Sequence, residues 1–185
     1  MGSGSKLAPG MPPDQVRWHD AAVSNEGQAI ERIEIQRTIP AEAGRIFSVL
    51  RDPRGHVAID SSGMLQGFTG DPVSKVGDTF VIHMDRESLS DYPMGRYDVT
   101  VVFTTYEPDR EIAWTVEGTI KPPIGHLYGY TLEPTEGGTL VTSYYDWSQI
   151  APEWREANIF PVMSELAVRA TLGILERTLA QSSQW

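Results

Sequence analysis

The chain has 185 residues, 40% of them hydrophobic and 22% charged, with a formal net charge of −10. That length suits one domain with a sizeable core, and the composition is that of an ordinary globular protein. The negative charge repels phosphate backbones and argues against nucleic acid, while the absence of cysteine excludes disulfides, thiolate catalysis and Cys-ligated zinc.

Residues 1–29 are polar and rich in Gly and Pro. They read as a tag, "MGSGSKLAPG", followed by a tail without the apolar core of a signal peptide, so the domain proper is expected over 30–181. In "IERIEIQRTI", Ile33, Ile35 and Ile39 suggest a half-buried strand. Pro40 suits the first turn of a helix. Ala43, Ile46, Phe47 and Leu50 then recur at helical spacing. Pro53 ends that helix, and "RGHVAID" has the length for one or two further turns.

From residue 64 the period changes to two. "MLQGFTG" is a short strand, and "DTFVIHMD" puts Phe80, Ile82 and Met84 on one face and Val81, His83 and Asp85 on the other. Beyond the polar loop "RESLSDYPMG" runs "RYDVTVVFTTYE", a long β-branched strand. Its alternation leaves the inward face open between Val99, Val101 and Phe103 and the set Val102, Thr104 and Tyr106. "EIAWTVEG" aligns Ile112, Trp114 and Val116, and "HLYGYTLEP" aligns Tyr128, Tyr130 and Leu132. "TEGGT" is a hairpin turn. In "LVTSYYDWS", Tyr145 and Trp147 are preferred for the inner face over Tyr144 and Asp146, because Val141 shares their parity. The closing segment returns to helical period, with Ile159, Met163, Leu166, Ala170 and Ile174 on one stripe. Pro161 is awkward inside a helix. A short helix before it and a long one starting at or near it are expected.

No long helix separates the middle strands, so their pairing should be antiparallel. The fold class is α+β: a curved sheet of about seven strands wrapped around a long C-terminal helix over 162–180, with two short helices after the first strand. A single helix cannot fill the concavity of such a sheet, so an internal cavity is expected. No apolar run approaches the roughly 20 residues of a bilayer span, and a cytoplasmic protein is expected.

This order resembles the START/Bet v 1-like superfamily, also called SRPBCC or the polyketide cyclase/dehydrase and lipid-transport group. The residues that carry the likeness are "IPAEAGRIFSVLRDPRGHVAID", "VGDTFVIHM", "YEPDREIAWTVEG", "YTLEPTEGGTLVTSYYDWS" and the closing helix. The likeness covers roughly 30–181 and is to small bacterial single-domain members. It implies a helix-grip fold and a pocket for a small hydrophobic or aromatic molecule; a monomer or homodimer is expected. It does not fix an activity, since such folds host cyclases, dehydratases, carriers and sensors. An enzymatic member of this kind would perform cofactor-free cyclisation or dehydration, so no cofactor is expected.

The candidate catalytic residues are His56 and Asp60 in "RDPRGHVAID". On a helix they share a face, and a carboxylate beside an imidazole can raise its pKa and fix its tautomer. Two other readings stay open: Asp60 capping a turn before "SSG", and a merely structural His–Asp contact. The candidate ligand-binding residues are Phe80, Ile82, Met84, Trp114, Tyr128, Tyr130, Tyr145 and Trp147 from the strands, with Met163, Ala167 and Ala170 from the last helix. Flat apolar walls with hydroxyl tips suit an aromatic guest. His19, His56, His83 and His126 lack metal-ligand spacing, so no metal is expected.

Overall fold

The structure is a computed structural model that describes residues 31–87, 94–118, 121–157 and 159–181. The expectations for the N-terminal tail and for the centre of the loop after Asp85 lie outside the described residues. Strand β1 (Arg32–Ile39) leads into helices α1 (Ala43–Leu50) and α2 (Pro53–Ile59). Five strands follow: β2 (Leu65–Thr69), β3 (Thr79–Asp85), β4 (Arg96–Glu107), β5 (Glu111–Glu117) and β6 (Leu127–Thr135). They are completed by β7 (Gly138–Asp146), a single turn α3 (Pro152–Glu156) and the long α4 (Glu165–Gln181). All pairings are antiparallel, in the order β1-β7-β6-β5-β4-β3-β2. The architecture is the expected α+β one, a curved seven-stranded sheet with α4 against it.

Local chemistry explains the helix boundaries. Pro40 precedes α1 rather than opening it, and α1 begins at Ala43. Pro53 stands at the start of α2, where its missing N–H costs nothing. Asp52 caps that helix by accepting from the Arg54 N–H at 2.8 Å. Gly55 is required at the crossing of α1 and α2, because a Cβ there would sit 1.9 Å from the Val49 backbone oxygen. The long helix starts at Glu165, four residues after Pro161. Ser164 caps that start, its hydroxyl accepting from the Ala167 N–H at 3.2 Å.

The buried stripe of α4 is Val168, Leu172, Leu175 and Leu179. This differs from the stripe read in the sequence. Leu166 is 74% exposed, and Ala170 is also exposed. The leucines carry more apolar surface than the alanine, so burying them sets the rotation of the helix. Of the expected stripe, Met163 and Ile174 pack partly against the core, but Ile159 and Met163 precede α4.

One irregularity decides the open question in β4. Val101 and Phe103 are buried, and Val99 packs partly against the core. The register with β5 then shifts between Phe103 and Thr105. A bulge adds one residue and reverses the alternation beyond it. Tyr106 therefore joins the same side, its ring edge-on to Phe47 with centroids 5.2 Å apart. In β7 the inner face is the preferred one: Tyr145 is fully buried against Tyr128 at 4.8 Å. Tyr144 points the other way, lying over Gly129 with its hydroxyl 3.1 Å from Glu111 and the Arg32 guanidinium on its ring.

Candidate functional site

The sheet and α4 do not close on one another completely. A cavity of about 200 Å³ remains, bordered by α2 and the segment after it, by β3 to β7, and by α4 with Met163 before it. The strands contribute a mainly apolar floor of Ile82, Met84, Val99, Val101 and Val116. Trp114 makes an aromatic wall: its ring stacks on Tyr130 at 5.9 Å and on Tyr128 at 6.4 Å. Ser61 ties the rim to α4, donating to the Ala167 backbone oxygen at 3.1 Å and accepting from the Thr171 hydroxyl at 3.0 Å.

His56 borders this space. Its ring is buried among Trp114 at 4.5 Å, Phe80 at 4.9 Å and Phe103 at 6.1 Å. Nε2 is 2.7 Å from the Leu50 backbone oxygen. A carbonyl can only accept, so Nε2 carries the proton and the neutral ring presents a lone pair at Nδ1. Burial lowers the His56 pKa to about 4, outweighing the Leu50 hydrogen bond and the more distant Asp52, which both raise it. The ring is thus neutral at pH 7.

Asp60 also borders the cavity, but its carboxylate is spent on the turn. It accepts from the Ser62 N–H at 2.9 Å, the Ser62 hydroxyl at 2.7 Å and the Leu65 N–H at 3.1 Å. His56 and Asp60 share no hydrogen bond; their polar atoms are engaged with Leu50 and with the turn respectively. The turn reading of Asp60 is the one its contacts match.

Of the sequence-derived ligand residues, Ile82, Met84, Trp114, Tyr128, Tyr130, Tyr145 and Met163 border the cavity. Phe80 is buried behind His56 as core. Trp147 stacks on Tyr145 at 5.3 Å without reaching the space. Ala167 contributes its backbone oxygen to the rim contact instead of a cavity wall, and Ala170 faces away, as the rotation of α4 requires.

Sequence reasoning missed Val168, Thr171, Ser143 and the rim segment Ser61 to Leu65. Ser143 shares parity with Tyr145 and could have been found. The α4 residues could not, once the helix phase was misjudged. It also left His126 unassigned. That ring is buried beside the cavity aromatics, with Nδ1 3.0 Å from the Tyr145 hydroxyl and an edge toward Tyr128 at 5.0 Å. Burial lowers its pKa to about 4. Burial also pushes the Tyr130 hydroxyl up to about 12 and raises Tyr128 and Tyr145 further.

On the other face of the sheet, His83 joins Thr69 at 2.9 Å and Asp98 at 2.8 Å. The order hydroxyl, imidazole, carboxylate is that of a nucleophilic relay. Here His83 and Asp98 are 42% and 65% exposed, so water screens the charges on which such a relay depends. Among the described residues, no group of three or more His, Asp or Glu side chains is placed to hold a metal ion. No helix among them is long and apolar enough to cross a membrane.

No protein-family model matches the chain. An uncharacterized protein of Mycobacterium tuberculosis, Rv0088, is 27% identical over 181 residues, covering 96% of this chain and 74% of the relative. Among solved structures, protein CV1439 of Chromobacterium violaceum superposes with a TM-score of 0.57 at 13% identity, covering 82% of this chain and 99% of that one. The Aha1 dimer of Colwellia psychrerythraea gives 0.54 at 17% identity, covering 82% and 98%. At these identities the likeness is one of fold, the helix-grip arrangement expected from the sequence.

Proposed function

We propose that the protein binds one small apolar or aromatic molecule in the cavity beneath α4. The observation that supports this most directly is the lining. Aliphatic side chains and the Trp114 wall surround a space with a few polar tips, the usual makeup of a small-molecule site. Its volume of about 200 Å³ lies below the roughly 300–1,000 Å³ of drug-sized pockets and above a ~150 Å³ cavity that accepts benzene. A guest of one or two rings fits that range.

Binding without chemistry, as in a carrier or sensor, is favoured over a cyclase or dehydratase. An imidazole with a pKa of about 4 is a weak base at pH 7, and hydroxyls raised to about 12 or beyond are weak acids. General acid–base catalysis works best with pKa values near the working pH. The test is calorimetric titration with 2-methoxynaphthalene, a neutral two-ring probe. One site per chain is expected, and it should be lost in Val116→Trp, which fills the floor. No binding to the wild type, or equal binding to a folded Val116→Trp protein, would overturn the reading.

A further inference from the structure

Among the described residues, the lone pair of His56 Nδ1 has no donor. Nε2 is committed to Leu50, and the ring has no other hydrogen bond. Yet no buried side-chain nitrogen or oxygen among the described residues is sealed off without a partner. Nδ1 therefore opens to the cavity that the ring borders. Phe80 and Phe103 have no polar hydrogen to give it, and the Trp114 indole N–H, though a donor, makes no hydrogen bond to it. An acceptor held in this way, inside an aromatic wall, discriminates between guests by whether they can donate.

The charge of the lining narrows the class further. Among the described residues, no Lys or Arg borders the cavity, and Asp60 is the one charged side chain there. A carboxylate guest would lose its water and gain no cation, which is costly. It would also meet the Nδ1 lone pair, a repulsive contact for any anion.

We propose that the cavity selects neutral aromatic molecules that carry a hydrogen-bond donor, a phenolic hydroxyl or a ring N–H, and that His56 Nδ1 receives that donor. This rests on the cavity binding a guest at all. The ring of the guest lies against Trp114 while its donor points at His56. Fatty acids and aryl carboxylates are rejected. His56 is a specificity residue here: it reads the presence of one proton on the guest, and its tautomer is set by Leu50 rather than by a carboxylate.

The experiment compares four probes of similar size at pH 7: 2-naphthol, naphthalene, 2-methoxynaphthalene and 2-naphthoate. 2-Naphthol should bind roughly tenfold more tightly than naphthalene or the methyl ether, the discrimination one ordinary hydrogen bond supplies. 2-Naphthoate should be the weakest. In His56→Phe the preference for 2-naphthol should fall to within about twofold. Because that variant leaves the Leu50 oxygen unpaired and could misfold, the ¹⁵N resonance of His56 Nδ1 is followed in the wild type. It should shift with 2-naphthol and stay still with naphthalene. Equal affinities for 2-naphthol and the two donorless probes, or an unmoved Nδ1 resonance, would overturn the donor rule and leave cavity binding standing. Failure of all four probes would remove both readings together.

Discussion

His56 Nε2 donates to the Leu50 backbone oxygen across 2.7 Å, joining the end of α1 to the middle of α2. The bond does two things at once. It satisfies a carbonyl at a helix C-terminus, where backbone oxygens lack intrahelical partners, and it fixes which imidazole nitrogen faces the cavity. Gly55 makes it possible by letting α2 lie close to Val49.

Gly55→Ala should therefore be costly despite the small added volume. Its Cβ would stand 1.9 Å from a backbone oxygen, so α2 must move rather than a flexible side chain. A loss of about 1–3 kcal/mol is expected from such overpacking. The measurement is urea unfolding of the variant beside the wild type. Unchanged stability would mean that the two helices are not held at this distance.

Asp60→Ala should weaken the fold by about 1–3 kcal/mol, because the Ser62 and Leu65 N–H groups lose their acceptor. Binding of 2-methoxynaphthalene should persist, since no hydrogen bond of Asp60 involves His56. Denaturant midpoints and probe affinity, taken on the same preparation, check both parts. Lost affinity at full stability would return Asp60 to the list of binding or catalytic residues.

Acid should destabilise the protein through its two buried imidazoles. Both His56 and His126 are lowered from 6.5 to about 4 in the folded chain. Between those values the unfolded chain binds more protons, so stability rises with pH across the window and falls as pH drops from about 6.5 to about 4. The loss is up to roughly 3 kcal/mol per ring. Stability measured at pH 7 and at pH 4.5 should fall less steeply for His126→Phe than for the wild type. Parallel slopes would show that His126 is not held neutral by the fold.

The rotation of α4 can be checked by a pair of substitutions. Leu172→Ala should cost about 2–5 kcal/mol, as buried leucines do, because Leu172 is fully buried. Ala170→Glu should change stability by no more than about 0.5 kcal/mol, as exposed sites do. The reverse order in thermal denaturation would put the sequence-derived stripe back on the inside.

The sequence by itself determined the order of elements, the antiparallel pairing and the inward set Trp114, Tyr128, Tyr130 and Tyr145, because a period of two survives wherever strands run without interruption. It also carried the turn role of Asp60 as one of its readings, since an aspartate before two serines is a local hydrogen-bonding pattern. Three things were decided only by the tertiary structure. The bulge in β4 put Tyr106, from the second candidate face, on the same side as Val101 and Phe103, and a bulge is set by the neighbouring strand's register. The phase of α4 was set by which residues found apolar surface to cover, so Val168 and Leu172 turned inward and Ala170 outward. The state of His56 depended on an oxygen six residues earlier in the chain and on rings from three strands. Local spacing to Asp60 held no information about either, because desolvation and tautomer are properties of what closes around a side chain.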